Sequence, residues 1–262
     1  MTDVNSYLLQ LIKRLSFEDY RESAETSISY LKQSLWGTFQ NQLKDVSVFG
    51  SFDRQTILPP DVDKEADVDV MVIFKTNEFK PQTYLEKLRK FSEKAYSRSE
   101  IFPDFPTMVI ELKNLKFELV PAYWKNSAFD GDKLYIPGSP SKDVKWIPTN
   151  PAEFKARLDK KNTTLKGNLL PIILIFKYWN SLNNHAFLSY LLEKFIFDKS
   201  YEKSDLKSMF FQVSRELQNL ATTESQKAAV KLLLEKRRRL LVLEKENLLE
   251  YIEQEMQTFL PI

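Results

Sequence analysis

Val68-Asp69-Val70-Met71-Val72-Ile73-Phe74 is a near-continuous β-branched and apolar run of strand length, with Asp67 immediately before it. Side chains alternate across a strand, so Asp67 and Asp69 leave the same face, roughly 7 Å apart along the chain. Aspartate is a poor strand former, and a charge beside an apolar core is costly unless it is paired or metal-bound. Whatever this chain folds into must give these two carboxylates a counter-charge. A surface ion pair is the plain solution, and a bound cation is the chemical one.

Upstream, Val46-Ser47-Val48-Phe49 reads as a short strand stopped by Gly50-Ser51. A Gly-Ser pair at a strand end serves as an ordinary turn. It also lets main-chain N–H groups approach a phosphate closely, with the serine hydroxyl as an added donor. Strand, Gly-Ser, spacer, Asp-x-Asp and apolar strand, in that order, would supply donors for a triphosphate on one wall and carboxylates for its magnesium on the other. Between them, residues 55–66 carry Pro59-Pro60 and several acids and read as an exposed connection.

Composition narrows the metal. The chain has no cysteine and one histidine, His185, which excludes thiolate sites, disulfides and multi-histidine zinc. Oxygen-ligated magnesium or manganese remains. A hydrophobic content of 43% in 262 residues supports a sizeable core in one large domain or two lobes. The net charge of +2 conceals 38 basic and 36 acidic residues, so composition requires no nucleic acid, and only local clustering would argue for one. The start, MTDVNSYLLQLIKRL, lacks a signal-peptide pattern, and Leu169–Phe176 is too short to span a bilayer. A cytoplasmic protein with no membrane partner is expected.

Residues 4–40 show helical spacing with a break near Ser16–Asp19. Pro81 opens an amphipathic helix. Thr107–Leu112 and Leu115–Val120 flank Lys113-Asn114 as a hairpin, with the second strand ended by Pro121. Glu118 sits in the apolar middle of that strand, a third acid in an unfavourable place, for which a core-edge salt bridge is the plain explanation. Residues 122–148 read as irregular chain with a short strand at Lys133–Ile136. Asn150-Pro151-Ala152-Glu153 is a helix start, and the pattern is helical from there. Two domains are therefore expected, 1–148 and 149–262.

In the second, Leu169–Trp179 reads as a central helix, with Lys177 reaching the surface. His185 falls in a loop, and residues 205–220 and 223–260 read as charged helices, the latter opened by Thr223-x-x-Gln226. Lys236-Arg237-Arg238-Arg239 reads as a solvated face, with phosphate or RNA contact as the alternative. Tyr123, Trp124, Tyr178 and Trp179 offer rings for a base, although core packing accounts for most of them.

Taken in order, Gly50-Ser51-x-x-Arg54-x-Thr56, Asp67-Val68-Asp69, Phe117-Glu118-Leu119-Val120-Pro121-Ala122 and Trp146-x-x-Thr149-x-Pro151 resemble the DNA polymerase β-like nucleotidyltransferase superfamily. Within it the chain is similar to the bacterial cGAS/DncV-like nucleotidyltransferases (CD-NTases) that carry the SMODS domain, the oligonucleotide cyclases of anti-phage CBASS systems. Lys177 in Ile175–Asn180, and Ser189 before Glu193, agree with the helical-lobe pattern.

The resemblance implies an α+β, two-lobed fold, with a mixed-sheet catalytic lobe flanked by helices and a helical lobe. It also implies that Gly50 and Ser51 hold a nucleoside triphosphate, and that Asp67, Asp69 and Glu118 bind two Mg²⁺ ions, with Mn²⁺ as a substitute. Lys177 and Ser189 would contact the donor's phosphates. Glu118 stands where the wider superfamily usually has aspartate. The implied activity joins nucleoside triphosphates into a cyclic di- or trinucleotide messenger that a CBASS effector reads. Transfer of a nucleotide to RNA, protein or a small molecule, and an inactive binding protein on the same fold, are the alternatives.

Overall fold

The computed structural model describes residues 3–97, 99–104, 107–112, 115–125, 132–138 and 145–262, with the side chains of 103 and 104 excepted. The chain is α+β and divides into two compact units. One, here the sheet unit, comprises Glu18–Pro60 and Lys64–Arg157. The other, the helical unit, comprises Met1–Phe17, Asp61–Asp63 and Leu158–Ile262.

In the sheet unit the strands are β1 (Leu43–Phe49), β2 (Asp67–Phe74), β3 (Glu100–Asp104), β4 (Thr107–Leu112), β5 (Leu115–Lys125), β6 (Lys133–Pro137) and β7 (Trp146–Thr149). They form one mixed sheet in the order β1-β2-β5-β4-β3, with β6 joining the far end of β5 and β7 joining β6. Among the described strands only β2 and β5 run parallel. A parallel pair needs a long crossover, and helix α4 (Pro81–Ala95), with proline at its first turn, lies within it.

Helix α2 (Glu18–Phe39) buries Ile28, Leu31, Leu35 and Phe39, and α4 buries Tyr84, Leu88 and Phe91. Both cover the face that carries Val68, Val70, Val72 and Phe74. Phe74 meets Phe39 edge-on at 5.6 Å and Tyr84 at 4.6 Å. The opposite face of β2 carries Asp67, Asp69, Met71 and Ile73.

Pro121 does not end its strand. β5 runs through it in register with β2, Val72 opposite Pro121, to Lys125. The missing N–H is tolerated because, on the other edge, β4 pairing stops at Leu119 and β6 pairing starts at Tyr123. The predicted turn residues Lys113 and Asn114 lie outside the described residues. Within the stretch read as irregular, β6 and β7 form a hairpin-like pair, and Tyr123 packs against Tyr135 and Trp146 at 5.3 and 4.9 Å.

The helical unit contains α1 (Val4–Arg14), the second half of α5 (Pro151–Thr164) from Leu158 on, α6 (Leu169–Leu182), α7 (Ser189–Asp198), α8 (Leu206–Glu216), α9 (Glu224–Lys245) and α10 (Leu249–Gln257). The N-terminal helix thus groups with the C-terminal ones, not with residues up to 148 as the sequence suggested. Its apolar stripe of Val4, Tyr7, Leu8 and Leu11 is buried within this unit, and the Tyr7 hydroxyl donates to the Leu260 carbonyl at 2.6 Å. The capping box at Thr223 and Gln226 forms as read. The expected helix over 223–260 instead breaks at Asn247, whose φ of +56° is a left-handed conformation asparagine accepts more readily than most residues.

Candidate active site

The parallel register sets the site. Asp69 lies opposite Glu118, and Asp67 lies opposite Lys116. Register partners share a face, so the three acid-bearing positions occupy one patch of sheet, with Asp67 one pleat along from the facing pair. This is the face that α2 and α4 leave bare.

Phe49, the last residue of β1, is opposite Asp69 on the other side. The chain then turns into a single helical turn, α3 (Gly50–Asp53), closed by Arg54 N–H to Gly50 carbonyl at 3.1 Å and Thr56 N–H to Ser51 carbonyl at 2.9 Å. Gly50 has φ +71°, and a Cβ built on it would lie 1.7 Å from Asp69 Oδ2. No other residue fits there. Gly50 therefore does two things at once: it takes the left-handed conformation of the turn, and it lets the main chain lie directly against the Asp69 carboxylate. Ser51 follows in the first turn, where main-chain N–H groups lack an intrahelical acceptor.

The sequence reading missed Lys116. Its ammonium is 3.2 Å from Glu65, with its side chain 16% exposed. Burial pulls its pKa down, but the Glu65 hydrogen bond and the charges of Glu65, Glu118 and Asp67 outweigh that and leave it raised. Periodicity held the clue, since Lys116 lies two residues before Glu118 and so shares its face. The acidic patch thus has a lysine built into it.

In the helical unit, Lys177 is buried in α6, 7% exposed, instead of reaching the surface as the sequence suggested. Ser189 is the first residue of α7, and Glu193, one turn on, is 1% exposed. Asn180, another residue missed from sequence, fixes how α7 begins. It is fully buried, its amide donates to the Phe187 carbonyl at 2.8 Å, and its oxygen accepts from the Phe187 N–H at 2.9 Å. That pair pins the loop that carries Asn184 and His185, both at positive φ. His185 meets Asp63 at 3.2 Å, a structural contact within this unit. Tyr190, next to Ser189, is 52% exposed.

Other residues singled out are taken up by packing. The Tyr178 hydroxyl donates to the Pro261 carbonyl at 2.8 Å, and Trp179 is buried. The basic run is solvated at Arg238 and Arg239, as read, but its side chains also have partners in the fold. Lys236 and Arg239 approach the buried Glu255 at 3.0 and 2.7 Å, and Arg237 donates to the Phe211 carbonyl at 3.0 Å.

Carboxylate oxygens, in a chain with no cysteine, are the donor set of a hard divalent cation. Asp69 and Glu118 face each other across adjacent strands, and the glycine at 50 removes the side chain that would crowd Asp69. Among the described residues, no three His, Asp or Glu side chains already stand as a metal cage. The residues therefore fit such an ion in kind and in placement on the sheet.

A mixed sheet with acids on its open face and a Gly-Ser turn against one of them, together with a separate helical unit, define a polymerase β-like nucleotidyltransferase fold. Solved structures agree. CdnG, a CD-NTase of Bradyrhizobium diazoefficiens solved with GTP, matches with a TM-score of 0.75 at 10% identity over 98% of this chain and 95% of that one. CdnC of E. coli MS115-1, solved with ATP, matches with a TM-score of 0.70 at 14% identity over 98% of both chains. The chain belongs to the Second Messenger Oligonucleotide or Dinucleotide Synthetase (SMODS) domain family, whose model matches residues 1–162. A Bacillus cereus protein named "Probable cyclic nucleotide synthase" is 28% identical over 192 residues, 59% of this chain and 55% of that one. The chain spans about half the length of that curated relative. Among the described residues, no helix is long and apolar enough to cross a membrane.

Proposed function

We propose that this protein is a divalent-metal-dependent nucleotidyltransferase that joins nucleoside triphosphates into a cyclic di- or trinucleotide messenger, as part of a CBASS-type anti-phage response. The observation that carries this reading is the parallel register of β2 and β5, which sets Asp67, Asp69 and Glu118 on one open face beside Gly50. SMODS membership, and relatives of the same fold solved with ATP and GTP, support it.

In this reading Asp67, Asp69 and Glu118 hold Mg²⁺ or Mn²⁺. Bound there, such ions would make an acceptor hydroxyl more acidic and neutralise the charge growing on departing pyrophosphate. The turn at Gly50 and Ser51 binds and orients the triphosphate through main-chain N–H groups and the serine hydroxyl, so positioning contributes much of the rate. Lys116 tempers the repulsion among the acids before nucleotide arrives. Lys177 and Ser189 are assigned to the donor's phosphates on the family resemblance, and the exposed Tyr190 ring is a surface on which a base can stack.

The test is incubation of the full chain with labelled ATP, GTP, CTP and UTP and Mg²⁺ or Mn²⁺, then phosphatase treatment and mass analysis of resistant products. Cyclic products that disappear in Asp69→Asn are expected. Label passed only to added RNA, protein or a small molecule would replace the cyclase reading with a different acceptor. Nucleotide binding without turnover in any metal would make the fold a binding module.

A further inference from the structure

The sheet face that bears the acids continues, past Asp69, into a cavity of about 570 Å³ that the proposed chemistry does not use. Met71, Ile73, Trp124 and Leu134 form an apolar floor, and Asp45 and Ser47 stand on its wall. Along β2, Met71 and Ile73 lie roughly 7 and 13 Å beyond Asp69. That span is comparable with the reach of a nucleoside from its ribose hydroxyl to the far edge of its base.

A bulge shapes the wall. Leu43 is opposite Phe74 and Asp45 is opposite Ile73, so Lys44 is an extra residue in β1. In a regular strand Lys44 and Asp45 would point to opposite faces. Here Asp45 lines the cavity, while the Lys44 ammonium stands 5.4 Å from the ring centre of Trp124 on the same side. Of the other carboxylates lining it, Asp53 pairs with Lys155 at 3.3 Å, Glu153 accepts from the Asn150 amide at 3.0 Å, and Asp132 is exposed just ahead of β6, across the cavity mouth from β1. Asp45 makes a single local bond, one oxygen accepting from the Val46 N–H at 2.8 Å.

We infer that this cavity receives the guanine base of a bound acceptor nucleotide, with Asp45 and Lys44 reading its edge and Trp124 lying against its face. The inference deepens the nucleotidyltransferase reading and rests on it for the direction in which the nucleoside lies. Guanine presents two adjacent donors, N1–H and the 2-amino group, beside one acceptor, O6. A carboxylate takes both donors together, and a neighbouring ammonium matches O6. Adenine offers a single donor flanked by an acceptor nitrogen, and uracil sets a carbonyl on each side of its one N–H, so either would leave Asp45 facing a lone pair.

The test measures binding without turnover: calorimetry of the metal-free full chain with guanosine, inosine, adenosine and xanthosine. Guanosine should bind roughly 10- to 100-fold more tightly than adenosine, and inosine, lacking the 2-amino group, should fall between them. Asp45→Asn, near-isosteric at an exposed position, should lose most of the guanosine affinity and gain xanthosine, whose 2-carbonyl accepts from an amide. A purely structural role for Asp45 would not exchange one base for another. Trp124→Leu, checked for an unchanged melting profile, should weaken all four nucleosides together. Equal affinity for guanosine and adenosine, or guanosine affinity indifferent to Asp45→Asn, would overturn the pocket while leaving the cyclase reading intact. Selective, Asp45-dependent binding in a chain that turns over no nucleotide would uphold the pocket and remove the cyclase reading.

Discussion

Replacing Gly50 by alanine should damage stability and activity together, and the structure says by how much. At φ +71° an L-residue costs about 1–2 kcal/mol over glycine. The new methyl would also lie 1.7, 2.6 and 2.9 Å from Oδ2, Cγ and Cβ of Asp69. Rotating the Asp69 side chain relieves the first two contacts but not the third, because Cβ moves only with the strand. Bringing 2.9 Å to the 3.4 Å at which ordinary contact begins displaces β2 by about half an ångström, against hydrogen-bonded neighbours on both sides. With that strain added, we expect a loss of roughly 2–4 kcal/mol in urea unfolding. The displaced carboxylate should lower metal-dependent turnover about 100-fold. Gly37, inside α2 with nothing within 4 Å of a built Cβ, is the matched control. The same change there should stabilise by about 0.5–1 kcal/mol. A Gly50→Ala protein that unfolds and turns over like the parent would refute both the close approach of the turn to Asp69 and the role given to that carboxylate.

Asn180→Ala should destabilise by about 2–4 kcal/mol, since it strips the partners from both main-chain groups of buried Phe187; thermal melting checks this, and loosening ahead of Ser189 should appear as weaker nucleotide affinity. Lys236→Met combined with Arg239→Met leaves Glu255 buried without its cations, so a loss of about 3 kcal/mol is expected in urea unfolding. Unchanged stability there would mean the basic run faces solvent after all. Asp3 and Asp205 cap α1 and α8 by accepting from Ser6 and Ser208 N–H groups; burial pushes the Asp205 carboxyl up, but its hydrogen bonds outweigh that, and both carboxyls stay below the ordinary value of 3.8. Their contribution is therefore complete above about pH 4 and fades as pH falls through the lowered pKa. Asp3→Asn with Asp205→Asn should flatten the stability profile below about pH 4, as followed by circular dichroism.

The elements that announced themselves were those governed by local rules. Pro81, the Asn150 and Thr223 caps and the apolar run after Asp67 each carry their structural reason within a few residues. What stayed illegible depended on partners far along the chain. Pro121 looked like a strand end because its tolerance comes from the gap between β4 and β6 on the facing edge. The first helix looked like part of the sheet unit because its apolar stripe names no partner. Lys177 looked like a snorkelling surface residue, and its burial depends on packing that periodicity does not specify. Lys116 was readable in principle, since any residue two before Glu118 shares its face, but nothing local says that Asp67 and Asp69 lie beside it. The same holds for the bulge at Lys44, which is a mismatch between two strands and has no signature in either one.

The order of strands explains why this face is the reactive one. β2 and β5 run parallel, so the chain between them must cross over one face of the sheet, and α4 travels in that crossover. With α2 it buries the valines of β2, which leaves the aspartates on the uncovered side. Glu118 joins them only because the parallel register places it opposite Asp69. A slip of one residue would turn Glu118 toward the helices and Phe117 toward the acids. That slip is opposed by the alternate apolar residues of β5, Phe117, Leu119 and Tyr123, which would have to leave the helix-covered core. The grouping of three carboxylates, unfavourable in itself, is thus held by the burial of the residues that alternate with them. The same alternation carries the face onward through Met71 and Ile73 to the cavity, so catalysis and base recognition would share one register and fail together if it shifted.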